Sequence, residues 1–327
     1  MKDEILYSCF IEKITQKIPQ KTELVDLLCD MLCLSKEAIY RRLRKEVPFT
    51  FYEAVTISRQ LEIPLDSLDI DNISTLKPFV LNLIEYINPA ESDFALMDEM
   101  TEIMKSFKES SEAEAAEITN LLPQPLYVTF KYIFKFYLFK WKYESNKSNK
   151  AIPYKEIVID DKLQKSQEEY VKWAKRLHAV YILDKQLFQY LVTDIKYFYS
   201  IGLITDEEIF LIKQDLLKIL NQIDDWTRTG YFKETGKNIN IYISNVNIDT
   251  NYIYVATPDY QLTIVKAFIL NGIASTDKKM FEEVKSWVQS AKQQSISITV
   301  SGEKNRIAFL NEQRTIIESL TSSIKEG

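Results

Sequence analysis

The chain has 327 residues, enough for about two domains with real cores, and its 46% hydrophobic and 27% charged residues are ordinary for folded protein. A formal net charge of −6 excludes a protein that coats nucleic acid through bulk charge, so any phosphate contact has to come from a local patch. Six glycines, never closer than six residues apart, exclude G-x-G-x-x-G and Walker loops, and a single histidine, His178, excludes His-x-x-x-His metalloprotease chemistry.

Residues 5–18 place Ile5, Leu6, Phe10, Ile11, Ile14 and Ile18 at helical spacing, and Pro19 stops that helix. A second helix is expected after Thr22, as N-cap, with Leu24, Leu27, Leu28, Met31 and Leu32 as its apolar set. A short break at Cys33-Leu34 leads to a new cap, Ser35, and a third helix, KEAIYRRLRK (36–45). Thr50 and Glu53 predict a capping box opening a fourth helix, with Ala54, Val55, Ser58 and Leu61 inward. Pro64 stands at the first position of a fifth short helix, before Leu65 and Leu68.

The third helix carries the candidate chemistry. With Ile39 and Leu43 turned inward, a 100° step puts Glu37, Arg41 and Arg44 on the opposite face, flanked by Tyr40 and Lys45. Residues 36–45 hold five cations, Lys36, Arg41, Arg42, Arg44 and Lys45, against Glu37, a local charge of +4 between acidic flanks. Arginine reads guanine O6 and N7 bidentately, and other cations hold phosphates. The bland alternative is a solvated cationic face on a helical scaffold.

The stretch LVDLLCDMLCLSKEAIYRRLRKEVPFTFYEAVTISRQLEIPLDSL resembles the helix-turn-helix regulators related to the lambda and Cro repressors, over residues 5–70. Leu28, Leu32 and Cys29 match buried and small positions of that family's scaffold helix, and Leu34 and Ile39 match its apolar pins. Val25 stands where the family often has a polar residue against the DNA backbone, Cys33 replaces the common turn glycine, and Arg42 replaces an apolar pin. The resemblance implies a five-helix DNA-binding domain, with Lys36, Glu37, Tyr40, Arg41, Arg44 and Lys45 as DNA-binding residues.

Beyond a hinge at 71–79, a helical pattern runs through 92–109 and an acid-rich ESSEAEAAEITN follows. LYVTFKYIFKFYLFKW (126–141) reads as a buried aromatic helix rather than a membrane span, because Lys131, Lys135 and Lys140 interrupt it. Lys131, Lys135, Lys140, Lys142, Lys147 and Lys150 form a second basic patch, read as a snorkelling edge on that helix, with contact to DNA phosphates or an anionic effector as the alternative. After the loop 145–153, helices are expected near 165–181 and 185–200. A Thr205–Glu208 capping box then opens a long helix whose seam is Ile209, Ile212, Leu216, Ile219, Ile223 and Trp226. INIYISNVNI, NYIYVAT, YQLTIVKAFIL and SISITVS read as strands, with helices at 277–292 and 303–320. These later stretches are similar to the tails of bacterial helix-turn-helix proteins, a likeness that implies no chemistry.

The expected fold is therefore mostly α. It comprises a helix-turn-helix domain at 1–75, a helical effector or dimerisation region at 76–230, and a small α+β part at 231–327 packed on the helical region. The expected function is a sequence-specific DNA-binding transcription regulator, not an enzyme. Its partners would be double-stranded DNA, a second copy in a homodimer and a small-molecule effector, with no membrane. No metal or other cofactor is expected, since Cys29 and Cys33 lack a second ligand pair. The early acids predict no signal peptide, and three cysteines, an odd number, predict reduced thiols in a cytoplasmic protein. The alternative is a protein-interaction adaptor that keeps the helix-turn-helix scaffold without reading DNA.

Overall fold

The computed structural model describes residues 2–61, 63, 65–68, 82–84, 101, 105, 112–145, 152–159, 161–258, 260–266 and 272–321. The chain divides into two compact units, Met1–Val80 and Leu81–Gly327. The hinge at 71–79, Pro64, Lys147 and Lys150 lie outside the described residues, as do most of the helical pattern at 92–109 and of the loop at 145–153.

The first unit is helical, with no strand among its described residues. It contains α1 (Lys2–Lys17), α2 (Lys21–Leu32), α3 (Lys36–Leu43), α4 (Phe51–Gln60) and one 3-10 turn at Leu65–Leu68. α2 begins just after Gln20, which makes no side-chain cap, so Thr22 lies inside the first turn instead of capping it. Ser35 does cap α3, its hydroxyl accepting the Ala38 N–H at 3.3 Å. Thr50 and Glu53 close the expected capping box on α4.

The core of this unit unites Phe10, Ile11 and Ile14 of α1, Leu24, Val25 and Leu28 of α2, Ile39, Phe49, Ile57, Ile63 and Leu68. Two of the expected apolar stripes change. Leu6 is exposed, while Tyr7 packs against the core. Ala54, Ile57 and Leu61 form the inner stripe of α4, a phase offset from Val55 and Ser58. Val25 is fully buried and packs in the core beside Leu24 and Leu28.

The second unit is built on a mixed sheet, and here the expected helical middle is corrected. Its strands are β1 (Asn82–Ile84), β2 (Glu114–Thr119), β3 (His178–Asp184), β4 (Ile239–Ser244), β5 (Asn251–Ala256), β6 (Gln261–Lys266), β7 (Gly272–Ser275) and β8 (Ile296–Ser297). Their order is β1-β7-β6-β5-β2-β3-β4-β8. β2, β3 and β4 run parallel, and every other pairing is antiparallel. Thus β2 and β3, both from the stretch read as helical, occupy the centre.

The helices are α5 (Gln124–Tyr127), α6 (Lys131–Ser145), α7 (Asp161–Ala174), α8 (Leu187–Ser200), α9 (Asp206–Thr229), α10 (Lys278–Gln293) and α11 (Glu303–Glu318). The helix expected at 165–181 ends at Ala174, and its last residues belong to β3. SISITVS yields only two strand residues before a 3-10 turn at Val300–Gly302.

Two successive crossovers, β2 to β3 through α5–α7 and β3 to β4 through α8 and α9, move the same way along the sheet. Right-handed crossovers then place their helices on one face. That face shares one core: Tyr181, Leu183, Ile239 and Ile241 pack with α6, α8, α9 and α11. α10 covers the other face, where Phe281, Val284 and Val288 meet Ala116, Ile118, Ile182 and Tyr254.

The aromatic helix α6 is core, as its composition suggests. Phe139 meets Phe198 edge-on at 4.7 Å, and Tyr127 stacks on Tyr137 at 4.3 Å. Its lysines snorkel: Lys140 pairs with Asp194 at 2.6 Å, and Lys135 lies 4.6 Å from the centre of the Tyr154 ring. Asp215 of α9 accepts the Tyr132 N–H at 2.8 Å, satisfying a donor at the start of α6. α9 ends at Gly230, whose φ of +78° is left-handed and whose missing Cβ would stand 2.8 Å from Val300 Cγ2.

Candidate nucleic-acid interface

α2 and α3 are joined by a three-residue turn. Cys33 ends α2 in the left-handed region, φ 53° and ψ 40°, its N–H bonded to the Cys29 carbonyl. A glycine would hold that conformation without a Cβ penalty, so Cys33 carries local strain. Ser35 then caps α3, whose inner side is held by Ile39, fully buried, and Leu43.

Arg42 is a clamp, not part of the outer face. Its guanidinium grips Glu53 through Nε at 3.0 Å and Nη2 at 2.9 Å, and Nη1 donates to the Ala38 carbonyl at 3.3 Å. The two side chains are only 15% and 12% exposed. Burial pushes the Glu53 carboxyl up, but hydrogen bonds from Arg42 and the Thr50 N–H, with the Arg42 charge, outweigh it and hold it below the ordinary range. At the position where the resemblance leads one to expect an apolar pin, Arg42 forms an ion pair whose partner, Glu53, also closes the capping box of α4. Tyr7 adds a second tie, donating to the Arg42 carbonyl at 3.0 Å and accepting the Phe49 N–H at 3.1 Å.

The remaining expected residues scatter more than a helical wheel suggests. Lys36, Glu37, Arg41 and Arg44 are exposed. Lys36 is ion-paired with Asp26 of α2. Arg41 and Arg44 converge on one carboxylate, Glu46, at 3.6 Å and 2.9 Å. Tyr40 is half-buried against the core, with the Lys21 ammonium 5.8 Å from its ring centre. Lys45 lies beyond the end of α3 at φ 65°, and its ammonium donates to the Ser8 hydroxyl at 2.8 Å. The local charge of +4 is thus reduced by Glu46, Glu53 and Asp26. Of these, Glu46 follows the cationic run directly in sequence, a signal the helical wheel passes over.

Two aromatics in the first turn of α4, Phe51 and Tyr52, are 82% and 78% exposed. In the second unit, His178 serves the backbone, its Nδ1 accepting the Asn238 N–H at 3.2 Å. The carboxyl ends of parallel strands are the usual ligand crevice of open α/β sheets. Here the loop after β4 closes over them: Asp184 accepts the Ile248 N–H at 2.8 Å, and Asn120 donates to the Ile248 carbonyl at 2.9 Å. Among the described residues no group of three or more His, Cys, Asp or Glu could hold a metal ion, and no helix is long and apolar enough to cross a membrane.

No family model matches the chain, and no curated protein matches it.

Proposed function

We propose that the chain is a sequence-specific, double-stranded DNA-binding transcription regulator of the cytoplasm. α3 would enter the major groove, and the second unit would serve sensing or self-association. One observation carries this reading: Arg41, in the last turn of α3, and Arg44, at its C-cap, stand exposed where the inner side of the helix is locked by Ile39, Leu43 and the Arg42–Glu53 clamp. A rigid helix presenting two guanidiniums suits bidentate guanine readout. Glu46 holds both in the free protein, and DNA would take its place. A homodimer would set two such helices about 34 Å apart, on successive major-groove faces.

The test is a fluorescence titration of genomic duplex fragments at two salt concentrations. Arg41→Ala or Arg44→Ala should weaken a specific site about ten-fold or more, from roughly 1–3 kcal/mol per bidentate contact, with helicity unchanged. Lys45→Ala should weaken all sequences alike and reduce the salt slope by about one unit. If the wild-type chain binds no duplex at low salt, or the double arginine variant binds as wild type, this reading is lost. The adaptor reading would then take its place, favoured by Phe51 and Tyr52, which present two large rings to solvent in the first turn of α4.

A further inference from the structure

α9 and α11 run antiparallel along each other. Arg314 Nη2 donates to Asn221 Oδ1 at 3.0 Å, and Lys213 Nζ donates to the Glu318 carbonyl at 3.3 Å. Toward the carboxyl end of α9 they border a cavity of about 400 Å³, with Leu220, Ile307 and Leu310 as apolar lining and Arg228, Arg306 and Arg314 as cationic lining. That is within the size range of small-molecule sites, and its wall is amphipathic, with Asp224, Glu303 and Asn311 completing the polar side.

The unusual group is Arg306. Its side chain is 7% exposed, and its buried Nε has no hydrogen-bond partner. Nε lies 3.4 Å from Asp224 Oδ1, while Nη2 is 3.9 Å from Glu303, whose own side chain is 74% exposed. Asp224 is shared, because its Oδ2 already accepts from Arg228 Nη2 at 2.7 Å. A buried guanidinium ordinarily saturates its planar fork with an oxyanion or carbonyls. Here three guanidiniums face two carboxylates, an excess of one positive charge in the cavity wall.

We infer that the α9–α11 cavity is a binding site for a small organic anion, an oxyanion head on an apolar body. The head, a carboxylate or a phosphate monoester, would pair with the guanidinium of Arg306, whose Nε has no hydrogen-bond partner, together with Arg228 and Arg314. The body would lie on Leu220, Ile307 and Leu310. This site rests on the second unit alone, and it stands whether or not α3 reads DNA.

The experiment is calorimetric titration of the full chain, without DNA, using benzoate, phenyl phosphate, inorganic phosphate and neutral benzyl alcohol. Saturable one-site binding is expected for benzoate or phenyl phosphate, and the tighter of the two identifies the head. Inorganic phosphate should bind at least about ten-fold more weakly, having no body to bury. Benzyl alcohol should not bind. Arg306→Gln risks the fold, so Arg314→Ala, at the partly exposed rim, is the informative variant. It should lower affinity about ten-fold with an unchanged melting temperature, as expected for a lost charge-assisted contact. Absence of saturable binding by both aryl anions in the wild-type chain would overturn the proposal. So would benzyl alcohol binding as well as benzoate, or an Arg314→Ala affinity equal to wild type.

Discussion

Arg42 and Glu53 join two tasks in one ion pair, anchoring α3 and capping α4, and their near burial makes the pair costly to break. Removing one partner leaves a charge without compensation, so Glu53→Ala should cost about 3 kcal/mol in chemical denaturation. The pH dependence follows from the lowered Glu53 carboxyl. Its contribution is complete above the ordinary value of 4.5 and is lost as pH falls through the lower folded value. Acid titration followed by circular dichroism should therefore show the first unit weakening below about pH 4.5, with a shallower response in Glu53→Gln. Identical acid profiles for the two proteins would remove the clamp from the stability of this unit. Cys33 allows a simpler test. A non-glycine residue in the left-handed region costs about 1–2 kcal/mol, against roughly 0.5–1 kcal/mol for the added freedom of an unfolded glycine. Cys33→Gly should thus raise the denaturation midpoint by up to about 1 kcal/mol of stability. An unchanged or lower midpoint would mean that the turn carries no such strain.

The long helix α9 shows how one element's role is decided by what surrounds it. Its 3-4 seam of Ile209, Ile212, Leu216, Ile219, Ile223 and Trp226 suits either a partner chain or an intramolecular bundle. All six are buried within the second unit's own core, packed with α6, α8 and α11, so this seam is not a dimer surface. Each buried aliphatic side chain is worth about 1.5–3 kcal/mol, and a buried unpaired carboxylate costs more than that. Leu216→Asp with Ile219→Asp should unfold the second unit, seen as loss of the near-ultraviolet aromatic signal. A folded, monomeric double variant would return the seam to an interface role.

On the scale of the whole molecule, the sheet ties early and late segments together. β2 and β3 come from before residue 230, yet β2 hydrogen-bonds β5 and β3 hydrogen-bonds β4, both from after it. A fragment of residues 81–230 would keep one β-pair with two bare edges and would lose β4 and β5 from either side of it, so it should be unfolded or aggregated. A fragment of residues 1–80 has its own core, its own caps and the Arg42–Glu53 clamp, and should keep its helicity and melt cooperatively. Size-exclusion chromatography and circular dichroism on both fragments check this. A soluble, cooperatively folding 81–230 would show that the sheet is not the organising element.

The sequence alone determined the features governed by neighbours a few residues apart. These include the Ser35 cap, both capping boxes, the outward Arg41 and Arg44, and the strands at 239–244 and 251–256 with their β-branched and aromatic residues. Tertiary structure decided the rest. EAAEIT has the composition of a helix and becomes a central strand because β3 and β5 satisfy its backbone on both sides. HAVYILD shows no alternation, since helices cover both faces of the sheet, and a continuous apolar run cannot by itself be told from a helix end. The cationic face of α3 was legible, but its partial neutralisation by Asp26 and Glu53 was not. Those carboxylates reach it from α2 and α4, and only the folded chain brings their charges within a few ångströms of its own.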